Sequence, residues 1–134
     1  MKYLLLILVL VFLQACSKSN RNHRRIQQQW SCNLVKIEDG NGFVYYDTLS
    51  TTNAIQFTVD SVSSFIFFDY VPLGASSTID DTLSLKDNYS IEGDIITLLG
   101  SETEIKIKLL TNSELVLAYY DALKYKLKTF YFQR

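Results

Sequence analysis

Thr103-Glu104-Ile105-Lys106-Ile107-Lys108-Leu109-Leu110-Thr111-Asn112-Ser113-Glu114-Leu115-Val116-Leu117 is the stretch that decides the fold class. Ile105, Ile107 and Leu109 alternate with Lys106 and Lys108, a period of two that suits a strand with one wet face and not a helix. Thr111-Asn112-Ser113 is a cluster of turn formers, and Glu114–Tyr120 beyond it is apolar again. Two short apolar runs across a tight polar turn read as an antiparallel hairpin.

The same rhythm extends in both directions. Downstream, Asp121-Ala122 turns the chain into Lys124–Phe132, where alternation sets Tyr125, Leu127, Thr129 and Tyr131 on one face and Lys124, Lys126 and Lys128 in solvent. Upstream, Tyr89–Glu92 and Ile95–Leu99 flank Gly93-Asp94, a dipeptide suited to a two-residue hairpin turn. Thr82–Lys86 is a brief strand. Tyr70–Asp81 holds the single proline, Pro72, and reads as the longest irregular segment, either a lid over a cavity or a plain connection. Ser63–Phe68 is apolar on both faces. Ala54–Asp60 places Ile55, Phe57 and Val59 opposite Gln56 and Thr58. Ser50-Thr51-Thr52-Asn53 is a polar loop after the strand Phe43–Leu49, and residues 38–42 turn that strand back to Gln29–Ile37. In Gln29–Ile37, Trp30, Cys32 and Leu34 share a face, which makes Cys32 a buried small hydrophobe. Nine or ten short strands at this spacing predict an all-β fold, an up-and-down antiparallel β-barrel of about 8–10 strands. Closure would leave no free sheet edge.

The first residues have another character. Lys2 precedes the unbroken apolar run Tyr3–Leu13, which falls short of the ~20 residues that a membrane-spanning helix needs. Leu13-x-Ala15-Cys16 follows and resembles the lipobox of bacterial lipoproteins. That resemblance implies a lipoprotein signal peptide over residues 1–15, a covalent lipid such as palmitate on Cys16, and a membrane-anchored protein of the cell envelope. Residues 16–27 then form a basic, flexible tether, with Lys18, Arg21, Arg24 and Arg25 and no acid, and residues 28–134 the barrel domain. The tether is either a solvated spacer or a strip that lies on anionic headgroups. Surface-exported lipoproteins of the kind that this lipobox resembles tend to carry acids soon after the cysteine, and Ser17-Lys18-Ser19-Asn20-Arg21 has none, so the resemblance implies a periplasm-facing site on the outer membrane.

From Ile26 to Arg134 there are eight basic residues against fourteen acids. That balance argues against nucleic acid as a partner. The sole histidine, His23, lies in the tether, so a histidine-based triad, a Cys–His pair and a His-ligated metal site have no place in the barrel. No phosphate-binding glycine loop is present. Asp80 and Asp81 are the closest acidic pair and read as solvated loop residues. No catalytic residue, no metal site and no cofactor beyond the lipid is expected, and the protein is read as a non-enzyme.

Trp30, Ile55-x-Phe57-x-x-Asp60, Tyr89-x-Ile91-x-Gly93-Asp94-x-Ile96 and Ile105-x-Ile107-x-x-Leu110-Thr111-x-x-Glu114-Leu115-Val116-Leu117 together resemble the lipocalin-like domains of small lipoproteins from Bacteroides-type bacteria. The resemblance spans roughly Gln28 to Phe132. It implies a small barrel of eight to ten strands, and its motifs are strand and turn signatures without catalytic content. Lipocalins proper carry a glycine two residues before the tryptophan, where this chain has Gln28.

An eight-stranded barrel is just wide enough to be filled by side chains or to hold one small ligand. Phe57, Phe65, Phe67, Tyr119, Tyr125 and Tyr131 are the candidate cavity lining. Two functions follow from the two cases. A hollow barrel would bind a small apolar ligand. A filled one would serve as a protein–protein interaction module, an accessory subunit or inhibitor of an envelope enzyme.

Overall fold

The computed structural model describes residues 19–49 and 53–134. The export signal, Cys16 and the polar loop at residues 50–52 lie outside them. The described chain has one short helix, α1 (residues 19–26), and nine strands: β1 (Gln29–Asp39), β2 (Val44–Thr48), β3 (Ala54–Phe57), β4 (Ser61–Tyr70), β5 (Ile79–Glu92), β6 (Ile95–Leu98), β7 (Thr103–Leu110), β8 (Glu114–Asp121) and β9 (Lys126–Gln133).

All pairings are antiparallel, and β1 pairs with β9 to close the sheet into a barrel. β2 pairs with Leu34–Glu38 of β1, and β3 with Gln29–Ser31 of the same β1 edge. The two therefore form the upper and lower halves of one stave, and the barrel has eight staves. Bonds from Leu49 N to Asn33 O (2.9 Å) and from Cys32 N to Asn53 O (2.7 Å) carry the ladder across the gap. From β3 onward the chain is a plain meander, as the hairpin signals predict.

Several expectations are corrected. β4 pairs along its whole length with β5, from Ser61↔Asn88 to Tyr70↔Ile79. The two short strands expected at residues 82–86 and 89–92 are thus one long strand, and the irregular segment shrinks to residues 71–78. In β1 a bulge between Cys32 and Leu34 shifts the register against β9. An inserted residue flips the alternation. Trp30 and Cys32 face inward below the bulge, Val35 and Ile37 above it, and Leu34 leaves the core face. A second bulge, between Ile107 and Leu109, turns Leu109 outward.

β4 was ambiguous because both its faces are apolar. Val62, Ile66, Phe68 and Tyr70 point inward, so Phe65 and Phe67 stand on the outer wall, 65% and 44% exposed. Ser64 shares the inner face and donates to Leu83 O at 3.2 Å. Serine substitution at Phe65 or Phe67 is expected to change unfolding free energy by less than about 1 kcal/mol, and Phe68→Ala to cost about 3–5 kcal/mol, both measured by urea denaturation. Equal losses at Phe65 and Phe68 would contradict this facing.

The flexible tether is also corrected over residues 19–26. Asn22 and Ile26 lie one helical turn apart and both point at the barrel. Ile26 joins the core, Asn22 Nδ2 donates to Gly93 O and Gly93 N donates to Ser19 Oγ, each at 2.8 Å. Trp30 Nε1 donates to Ile26 O at 3.0 Å and satisfies a carbonyl at the helix end. His23 rests beside the Tyr89 ring, centroids 5.8 Å apart. The helix covers one end of the barrel, where β1 begins and β5 turns into β6. Gly93 takes φ +63° in that turn, a conformation that primed hairpin turns demand and that costs glycine little.

Above this closed end the interior is packed with side chains. Trp30, Ile55, Ile66, Phe68, Phe130 and Phe132 are all essentially buried, with Phe68 edge-on to Phe130 at 5.8 Å and Phe57 edge-on to Tyr89 at 5.3 Å. Each such side chain contributes roughly 1.5–3 kcal/mol by leaving water.

Candidate functional site

The end of the barrel opposite α1 is open. β5 sends Asp81, Leu83 and Leu85 inward by its two-residue period, and β8 sends Leu115, Leu117, Tyr119 and Asp121. Of these, Asp81, Leu83, Leu85, Tyr119 and Asp121, with Leu98 of β6, Ile105 of β7 and Lys128 of β9, border a half-open cavity of about 480 Å³. Its walls are Leu83, Leu98 and Ile105; its rim carries Ser84, Ser101, Thr103 and Tyr119. Small-molecule pockets typically fall in this size range and combine apolar walls with a few polar groups.

One side of the cavity is a buried ion cluster. Lys128, expected in solvent, is only 3% exposed. The turn after β8 runs through Tyr125, which takes φ +51°, so β9 starts at Lys126 and its inward set is Lys126, Lys128, Phe130 and Phe132. Lys128 Nζ lies 3.0 Å from Asp121 Oδ2 in a directed hydrogen bond and 2.8 Å from Asp81 Oδ2 in an ion contact without good hydrogen-bond angles. Lys124 Nζ donates to Asp81 Oδ1 at 3.0 Å, and the Thr82 amide donates to the same oxygen at 2.9 Å. Lys128 also sits 5.7 Å above the Phe68 ring. Next to this cluster Lys126 Nζ donates to the Tyr70 hydroxyl. Two carboxylates and two ammonium groups balance in charge, which is what lets them leave water.

Burial opposes the charge on Asp81, but Lys128, Lys124 and the Thr82 amide outweigh it and hold the carboxyl below its ordinary range. Asp121 is lowered in the same way, burial being overcome chiefly by Lys128. For Lys128 burial pulls downward, and Asp81 and Asp121 together raise it above an ordinary lysine. Carboxyls lowered on folding stabilise the fold above their unfolded values of about 4, and that stability is lost as pH falls through the folded values. The raised lysine stabilises fully below its unfolded value of about 10.4 and less as pH rises through its folded one. Urea midpoints should therefore be flat between about pH 5 and pH 8 and fall on both sides, the alkaline fall beginning with the Cys32 thiol, which burial raises. Asp81→Asn with Asp121→Asn should flatten the acid limb; an unchanged limb would show that other carboxyls cause it.

Of the six aromatics expected to line a cavity, Tyr119 alone does so. Phe57 is core at the closed end, against Tyr89. Phe65 and Phe67 are on the outer wall, Tyr125 is 70% exposed in the β8–β9 turn, and Tyr131 is half-buried on the outward-facing set of β9. Residues 71–78 do not line the cavity, so they are not its lid; Leu73 N donates to the Tyr45 hydroxyl at 3.1 Å. Asp81, read as a solvated loop acid, is a buried strand residue, while Asp80 is exposed. The signal for it was present: Asp81, Leu83 and Leu85 keep the period of two, as do Lys128, Phe130 and Phe132. Cys32 is fully buried, its Sγ 3.7 Å from Leu34 O, and burial pushes its thiol up to about 12. Among the described residues no group of three or more His, Cys, Asp or Glu side chains gathers as a metal site.

The geometry defines a class: a closed, eight-stave antiparallel barrel, plugged by a helix at one end and bearing a small charged-rim pocket at the other. Compared with models of protein families, with curated proteins and with solved structures, the chain matches none.

Proposed function

We propose that this chain is a lipocalin-like, lipid-anchored lipoprotein of the cell envelope, and that its barrel binds a small ligand without catalysing a reaction. The lipobox-like Leu13-x-Ala15-Cys16 supports the anchor, and the absence of early acids supports an outer-membrane site facing the periplasm. The observation that carries the binding role is the cavity of about 480 Å³ between β5 and β9. Its Leu83, Leu98 and Ile105 walls suit an apolar body, and its hydroxyls and the Asp81–Lys128–Asp121 cluster suit a polar end. The ligand is therefore amphipathic and short, since packed aromatics block the barrel below.

Titration of the protein with N-phenyl-1-naphthylamine tests this. Saturable fluorescence should appear, and Thr103→Trp, which fills the rim, should abolish it. Cys16→Ala should move the protein from the membrane to the soluble fraction. The second reading, a protein-interaction module, is favoured by the exposed pair Phe65 and Phe67. Probe binding that survives Thr103→Trp but disappears in Phe65→Ser/Phe67→Ser would select it.

A further inference from the structure

The arginine face of α1 has no role inside the barrel. Ser19, Asn22 and Ile26 fix the helix to the closed end, so its orientation is set by hydrogen bonds and burial. The opposite face presents Asn20, Arg21, Arg24 and Arg25, all exposed and bordering one shallow concavity. Arg21, Arg24 and Arg25 stand three and four residues apart, hence on one stripe. They contrast with the rest of the domain, where acids outnumber basic residues fourteen to eight. A chain that is acidic elsewhere and concentrates arginine on one rigid helix face presents a surface complementary to a layer of negative charge.

We infer that this face docks on anionic phospholipid headgroups and stands the barrel on its closed end, pocket outward. The inference rests on the proposed anchor at Cys16. Only two residues, Ser17 and Lys18, separate that cysteine from Ser19, three backbone steps that span at most about 11 Å. That is close to the Debye length of about 8–10 Å at physiological salt, so the arginines sit within range of the surface potential. Each basic residue there strengthens attachment about fivefold, and three together about 100-fold. β5 runs from the rim at Asp81 to Glu92 beside α1, about 35 Å of strand, so the pocket opens well clear of the bilayer.

The test uses the mature chain, residues 16–134, carrying Cys16→Ser so that no acyl chain contributes. It should sediment with vesicles of equimolar phosphatidylcholine and phosphatidylglycerol and not with phosphatidylcholine alone. Arg21→Glu/Arg24→Glu/Arg25→Glu should weaken this by more than about 100-fold. Lys106→Glu/Lys108→Glu, on the exposed face of β7, should leave it intact. A glutamine triple variant, with circular dichroism as a check on folding, should lose most of the binding if charge-reversed protein fails to fold. No preference for anionic vesicles, or equal binding by the arginine variants, would overturn the inference. Release by millimolar inorganic phosphate would overturn it in favour of a free-anion site, and tighter binding to an acidic polypeptide than to vesicles in favour of a protein partner. Failure of the anchor itself is read separately, from the cellular fractionation of Cys16→Ala.

Discussion

Trp30→Ala is expected to lower the unfolding free energy by about 3–5 kcal/mol, the range for emptying a fully buried aromatic site. Trp30 is wholly buried where β1, β3 and β9 meet. Its Nε1 also donates to Ile26 O, so the indole latches α1 to the barrel as well as filling it. Alanine removes both functions, and Ile26 loses the surface it packs on. Trp30→Phe separates them: the ring stays, the N–H is lost, and the cost should be about 1 kcal/mol. In that variant amide exchange should rise over residues 19–26 more than in β4 or β5. Urea denaturation gives the first quantity and hydrogen exchange the second. A Trp30→Ala midpoint equal to wild type would mean that the closed end does not depend on this side chain.

Lys128→Met is expected to cost about 3 kcal/mol. Removing one member of a buried ion cluster strands the others, and Asp81 and Asp121 would face each other without their common cation. The adjoining cavity lets water approach, which places the loss at the lower end of the usual range. Lys124→Met offers the contrast. Its ammonium is about half exposed, 47% for the side chain, so its pair with Asp81 should be worth less than about 1 kcal/mol. Adding Asp81→Asn and Asp121→Asn to Lys128→Met should restore much of the loss, because neutral amides tolerate the site better than unpaired carboxylates. Urea midpoints at neutral pH decide it. If Lys128→Met and Lys124→Met lose stability equally, the cluster is not centred on Lys128.

The barrel was legible because its signal is redundant: each hairpin repeats the period of two and each turn carries its own turn formers. Facing was less legible, for three physical reasons. A bulge is one extra residue with no chemical mark, so Leu34 and Leu109 moved off the core face without warning. β4 is apolar on both sides, and only its pairing with β5 picks Ile66 and Phe68 over Phe65 and Phe67. β9 opens only after a turn over residues 122–125, two residues later than the strand expected from Lys124, and its inward face carries Lys128 and Phe130 in place of Tyr125 and Tyr131. The site was hidden by the same step. A lysine reads as solvated until the two acids that neutralise it are brought in from β5 and β8, 47 and 7 positions away along the chain. In α1, three arginines obscured the Asn22–Ile26 spacing that marks its inward face.

The barrel is sealed by hydrocarbon at its floor and laced by charge at its rim. Acid acts on that lacing through Asp81 and Asp121, so the rim will fray first as pH falls. The lone indole belongs to the floor, and its emission will stay native through that fraying. An observer relying on intrinsic fluorescence would therefore judge the molecule intact after its charged rim had already come undone.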